Sequence, residues 1–227
     1  SGFGMFQLDS IFLSMSDVPI TQTKKKYEGA IHYVQFQPKR LFGVSPLGMT
    51  GAIISGLIAG SFFGMGPVFA QSIGLDQAGI AAFMGITMLG ALLFQWPLGW
   101  ISDQIDRRKI IIAISIATAI VGILISLVSF HSFELLVGLT FCFGGALFPL
   151  YALSVAHLNE HIEADEIVAG ASGMILLYGV GAAIGPISSS FAMEWLGPSG
   201  LYIYAASIAL LFSLYGIVRI KIGKPVP

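Results

Sequence analysis

Six long runs without a charged side chain constrain this sequence more than any other feature. They lie near 47–70, 78–101, 109–130, 134–156, 167–193 and 200–218, and no Asp, Glu, Lys or Arg falls well inside any of them. A hydrocarbon core of ~30 Å takes ~20 apolar residues as a helix, so each run is long enough to cross it. Lipid offers a bare backbone no hydrogen-bond partners, and a helix supplies its own within the segment. With 56% hydrophobic and 10% charged residues, the chain lies far from soluble domains, of which about a quarter is charged. The expected fold class is an all-α membrane protein with six transmembrane helices, neighbours running antiparallel because their connectors are short. Its immediate surroundings are then the lipid bilayer.

The few charges are placed unevenly. All eleven Lys and Arg fall at 24–26, 39–40, 107–109, 219, 221 and 224, on one side of a six-span bundle. The opposite connectors, near 71–77, 130–133 and 194–199, carry none. The excess of base marks the cytoplasmic side, so both ends are expected to be cytoplasmic. Residues 1–46 read as a tail of mixed character. The apolar stretch Gly2 to Met15 is too short to span and reads as an interfacial segment or the last turns of a preceding helix. The remainder, with Lys24-Lys25-Lys26 and Pro38-Lys39-Arg40, reads as a basic, loop-like connector, a solvated linker rather than a lipid-binding or nucleic-acid patch. A six-span bundle over 47–221 and a tail over 222–227 complete the division. The single Cys142 sits in an apolar run and supports neither a disulfide framework nor a cysteine metal site.

Several constellations stand out. Gly56, Gly60 and Gly64 line one face of the first span; Gly181 and Gly185 do the same in the fifth, followed by Pro186. Small faces let helices approach closely, for static packing or for rocking. Pro67-Val68-Phe69-Ala70 and Pro149-Leu150-Tyr151-Ala152 occupy the first and fourth spans, which would run in opposite directions, as an inverted repeat of three plus three helices requires. Around 99–109, five charges crowd into seven residues. Gly99, Asp103 and Arg107 would share a face if the helix persists: Gly99 would allow close approach, Asp103 would face the positive end of another helix, and Arg107 and Arg108 would seek carboxylates. Glu160 or Glu163, in an acidic loop on the same side, is the expected latch partner of Arg107 or Arg108. Inside the spans, the polar groups to follow for a substrate path are Gln95, Ser154, His157, Ser172, Tyr178 and Ser188. An intramembrane enzyme would need paired acids, a nucleophile with its base, or a metal cluster in the spans. The spans carry none of these, so no catalytic residue, metal or cofactor is expected.

The charged stretch is also where the chain becomes recognisable. Gly99-x-x-x-Asp103-x-x-Asp106-Arg107-Arg108 resembles the loop signature of the major facilitator superfamily, with Gln104 and Asp106 departing from its usual basic residue and glycine. Ser45-Pro46-Leu47-Gly48, Gln95-Trp96-Pro97-Leu98-Gly99, Pro149-Leu150-Tyr151-Ala152-Leu153-Ser154 and Tyr178-Gly179-x-Gly181-Ala182-Ala183-Ile184-Gly185-Pro186 are similar to the bacterial YcaD-like branch of those porters. The resemblance implies the C-terminal half of a twelve-helix fold with 3+3 inverted repeats, residues 1–15 ending the sixth helix and 16–46 joining the halves. It further implies a bacterial inner-membrane secondary transporter of a small solute working by alternating access, with a proton as candidate coupling ion. Gly99, Asp103, Asp106, Arg107 and Arg108 would serve as its gating loop. Gly185-Pro186 is similar to an antiporter-type motif, though Ser188 and Ser189 stand where glycines are expected. The partner implied is the missing N-terminal half or, for a native half-protein, a second copy or another subunit. The rival reading is a non-transporting half-size subunit or assembly factor on the same fold.

Overall fold

The computed structural model describes residues 38–128 and 132–222. The expectations for 1–37 and for the tail beyond Ile222 lie outside them. Within the described residues the chain is all helix: α1 (Pro38–Val44), α2 (Pro46–Ser72), α3 (Gln77–Gln104), α4 (Arg107–Val128), α5 (Phe133–Asn159), α6 (Ile167–Leu196) and α7 (Gly200–Ile222), with one 3₁₀ turn at Ala164–Glu166. The six helices α2 to α7 are long and apolar enough to cross a membrane.

The segment 38–44 corrects the reading of a loop-like connector. Pro38 stands at the first helical position, where its missing N–H costs nothing. Pro46 begins α2 in the same way and bars its predecessor from helical geometry. Ser45 accordingly adopts φ −135°, ψ 75°, and the chain breaks between α1 and α2. Other boundaries have equally local causes. The Asp76 carboxylate accepts the Gly79 N–H at 2.8 Å and caps α3. Ser132 opens α5, and Gly197, at φ 71°, turns the chain out of α6. Four helices carry an internal proline, Pro67, Pro97, Pro149 and Pro186, and continue through it, as membrane helices do where neighbours cover the freed carbonyl.

Most buried hydroxyls are satisfied in the same economical way, those of Ser45 and Tyr202 excepted. Ser55, Thr87, Ser115, Thr118 and Ser154 each donate to a carbonyl one turn back on their own helix, so they enter the core without requiring a partner on another helix.

Packing is organised in matched pairs. The closest are α2 with α6, α3 with α5, and α4 with α7; weaker contacts join α4 with α5, α2 with α5 and α2 with α7. Exchanging α2, α3, α4 for α5, α6, α7 leaves this set of pairings unchanged. Helices three apart in an up-and-down chain cross in opposite directions, so the exchange describes an inverted 3+3 repeat. One buried core cluster is rich in aromatic rings. Tyr202 of α7 receives Phe69 at 4.9 Å and Phe143 at 5.1 Å edge-to-face, with Phe62 and Phe83 beside them, all fully buried.

The glycine faces sit at the tightest pairings. Gly56 and Gly60 of α2 meet the backbone of Tyr178 and Ala182 on α6, and Gly64 meets Pro186. From the other side, Gly181 and Gly185 press on the backbone of Ile53 and Leu57. The matched pair α3–α5 uses Gly90 against Phe141, and Gly144 against Thr87. Contacts this short need backbone against backbone, which glycine permits.

Candidate functional site

The end of the bundle where α3 turns into α4 gathers most of the described charge. Asp103 lies in the last turn of α3 and Arg107 at the start of α4, one helical turn of sequence apart. The Arg107 guanidinium donates from Nη2 to Asp103 Oδ1 at 2.8 Å and from Nε to Glu160 Oε1 at 2.9 Å. Glu160 lies at the C-terminal end of α5, so one arginine ties together the ends of α3, α4 and α5. Its side chain is 13% exposed, against 69% for Asp103 and 47% for Glu160. The cation is therefore the sheltered member, and its carboxylates stand at the water.

Arg108 turns the other way. Its Nε and Nη2 donate to the two Asp106 oxygens at 3.1 and 2.9 Å, while Asp106 Oδ1 also accepts the Arg108 backbone N–H at 3.0 Å. Asp106 thus caps the first turn of α4. The Arg108 hydrogen bonds hold its carboxyl below the usual carboxylate range, against an opposing push from burial. The aspartate that departs from the family signature has a local use: it fixes the start of the helix.

One expectation at this end needs correction. A Cβ at Gly99 would meet nothing within 4 Å, so among the described residues Gly99 makes no close approach. α3 ends at Gln104 and α4 begins at Arg107, so the helix does not persist through the loop, and Asp103 faces the first residue of α4 across it. Of the two acids offered to the arginines, Glu160 takes Arg107, while Glu163 precedes the 3₁₀ turn. One cross-link was not anticipated: Arg40 of α1 pairs with Glu166 at 2.8 Å, joining α1 to the start of α6.

The six residues proposed for a substrate path do not converge. Gln95 is exposed on α3, and Ser172 is exposed on α6, its hydroxyl bonded to the Val168 carbonyl at 2.8 Å. Ser154 is buried, donating to the Leu150 carbonyl at 2.7 Å against Gly51. Ser188 bonds Tyr204 Oη at 2.7 Å across α6 and α7. His157 lies buried at the charged end, its Nδ1 3.7 Å from Glu160 Oε2. Tyr178 alone of the six lines the small cavity of about 100 Å³ between α2, α5 and α6. Its companions there, Ser55 and Tyr151, were missed. Tyr151 was legible as the aromatic of the Pro149 step; its ring stands 4.9 Å from that of Tyr178.

No metal was expected, yet His157, Glu160 and His161 bring their ligand atoms within 4.8 Å of one another. The surroundings oppose a dication. Arg107 already occupies Glu160, and Arg108 lines the adjoining cavity, so an added positive charge would face two fixed ones.

Six antiparallel apolar helices in two interlocked triplets, with a charged Asp-Arg loop after the second span, form a pattern that comparison with other proteins resolves. The family profile described as Major Facilitator Superfamily matches residues 48–227. The chain belongs to the major facilitator superfamily. Among its curated relatives is an uncharacterized MFS-type transporter of Enterobacter sp. (strain 638), 28% identical over 199 residues, 87% of this chain and 51% of the relative. Another is the uncharacterized MFS-type transporter YcaD of Escherichia coli O17:K52:H18, 30% identical over 168 residues, 74% of this chain and 43% of the relative. The chain thus spans about half the length of the curated relatives it matches. In three dimensions it resembles the POT family transporter PepTSo, with a TM-score of 0.65 at 12% identity over 84% of this chain and 40% of that one. That likeness shows the fold: this major facilitator chain carries six spans with the helix packing just described.

Proposed function

We propose that this chain forms the C-terminal half of a secondary transporter that moves a small solute by alternating access, its basic end at the cytoplasm. The observation that carries the reading is the Arg107 hub, a sheltered cation clamped between carboxylates of two further helices at one end of the bundle. Such a contact is a latch: partly dry, it holds three helix ends together, and water entering between them weakens it by screening. Two features support the reading. The α2–α6 pair packs through smooth glycine faces, and α3 and α6, paired by the internal repeat, are the least buried of the six spans. They leave broad apolar faces, with Trp96, Trp100 and Trp195 strongly exposed, which lipid or an N-terminal six-helix half would cover.

Reconstituting the intact native polypeptide into vesicles tests this directly. Solute flux or pH-driven accumulation is expected, and Asp103→Asn and Glu160→Gln are expected to change its rate while the protein still inserts. Vesicles that transport no solute from a broad panel, under an imposed proton or sodium gradient, would refute the reading. Orientation is checked on a Cys142→Ala background with a single cysteine at Lys109. A membrane-impermeant thiol reagent is expected to reach it in inside-out vesicles and to miss it in right-side-out ones.

A further inference from the structure

A cavity of about 300 Å³ opens at the basic end, beside the Arg107 hub but distinct from it, where the start of α2, the start of α4 and the ends of α5 and α7 meet. Ser45, Arg108, His157, His161 and Arg219 supply its polar wall, and no carboxylate is among its lining residues. Two of these groups are anomalous. The Ser45 hydroxyl and His157 Nδ1 are buried, 1% and 5% exposed as residues, and neither has a hydrogen-bond partner. Buried polar atoms are almost always paired, because leaving one unpaired costs ~1–3 kcal/mol.

The surrounding charge gives the sign of the missing partner. Arg108 spends two guanidinium N–H groups on Asp106 and keeps others. Arg219 makes no ion pair among the described residues. Asp106 is engaged by Arg108 and Glu160 Oε1 by Arg107, while Glu160 Oε2 stands 3.7 Å from His157 Nδ1. Ser45 also stands at the N-cap of α2 without capping it, so the positive end of a long helix is open toward the same space. His161 donates its Nδ1–H to the His157 carbonyl at 2.8 Å, which fixes its ring in the wall.

We propose that this cavity is an anion site of the phosphate class, held by the Ser45 hydroxyl and the Arg219 and Arg108 guanidiniums, with the His157 and His161 rings in its wall. The anion is either free inorganic phosphate or the phosphodiester of an acidic lipid reaching in from the surface. Ser45 gains the partner it lacks, and the anion bridges the start of α2 to α4 and α7. The site does not depend on a transport role for the chain.

The test is thermal unfolding of the intact native polypeptide in neutral detergent at constant ionic strength. It is titrated with inorganic phosphate against chloride, and separately with mixed micelles of phosphatidylglycerol against phosphatidylcholine. A saturable rise in Tm is expected in one arm: phosphate alone identifies the free anion, and phosphatidylglycerol alone the lipid. Arg219→Gln, at an exposed position, is expected to weaken the apparent affinity about tenfold while Arg219→Lys retains most of it, as a charge-assisted bond requires. Ser45→Ala is expected to weaken it several-fold. No saturable shift in either arm overturns the site, as does an unchanged response in Arg219→Gln. Stabilisation by Zn²⁺ but not by either phosphate also overturns it, in favour of a cation on His157, Glu160 and His161.

Discussion

The Arg107 hub makes a graded prediction, because its two carboxylates differ in kind. Asp103 lies across the loop, at the end of α3, and is 69% exposed. Exposed pairs contribute ~0.2–1 kcal/mol, and one this open to water sits near the lower end. Glu160 reaches from another helix to the sheltered guanidinium and is 47% exposed. A hydrogen bond to a charged group is worth ~1.5–3 kcal/mol, and discounting for solvent screening at a half-exposed carboxylate leaves about 1 kcal/mol. Glu160→Gln should therefore destabilise the bundle more than twice as much as Asp103→Asn. Arg107→Gln should cost about the sum, ~1.5 kcal/mol, since the orphaned carboxylates can hydrate. Denaturant or thermal unfolding of the single and double variants in a fixed detergent measures the coupling, expected at about 1 kcal/mol for 107 with 160. The charge swap is sharper. Arg107→Glu alone gathers three acids; adding Glu160→Arg restores the cross-link but leaves Glu at 107 facing Asp103, so rescue should be partial. Adding Asp103→Asn should then complete it. A 107–160 coupling indistinguishable from zero, or an Asp103→Asn cost equal to that of Glu160→Gln, would refute the reasoning.

Three further outcomes follow from the same geometry. Gly60→Ala sets a methyl against the Ala182 backbone and should force α2 from α6, lowering Tm by several degrees, whereas Gly99→Ala meets open space and should be neutral or slightly stabilising through helix propensity. In a flux assay, Tyr178→Ala should alter the apparent substrate KM because its ring walls the small cavity, and Gln95→Ala, away from that cavity, should not. Asp106 titrates below the ordinary carboxylate value because Arg108 bonds its ionised form. Its stabilising contribution is complete above an unfolded pKa of ~3.9 and is lost as pH falls through the lower folded value. Acid unfolding curves of the native protein and Asp106→Asn should thus be separated at pH 6 and converge at the acid end.

The fold was legible in the sequence because lipid leaves so few options. Charge-free runs of spanning length must be helices, and their count, order and antiparallel course follow from length and hydropathy. The family could be recognised from a loop whose charges have nowhere else to go, Asp103, Arg107 and Arg108 between two apolar spans. The segment 38–44 was misread because basic residues and a proline resemble a linker, although proline also starts helices. The site was legible only in its residue types. Which acid Arg107 grips, that Asp106 caps rather than latches, that Gly60 meets a neighbouring backbone while Gly99 meets none, and that Ser45, His157 and Arg219 surround one cavity all depend on how six similar cylinders are rotated and paired. Apolar helices carry little periodic signal to set that rotation, since nearly every face is acceptable to lipid. It is decided by close packing, glycine against backbone and ring against ring, between residues far apart in the chain.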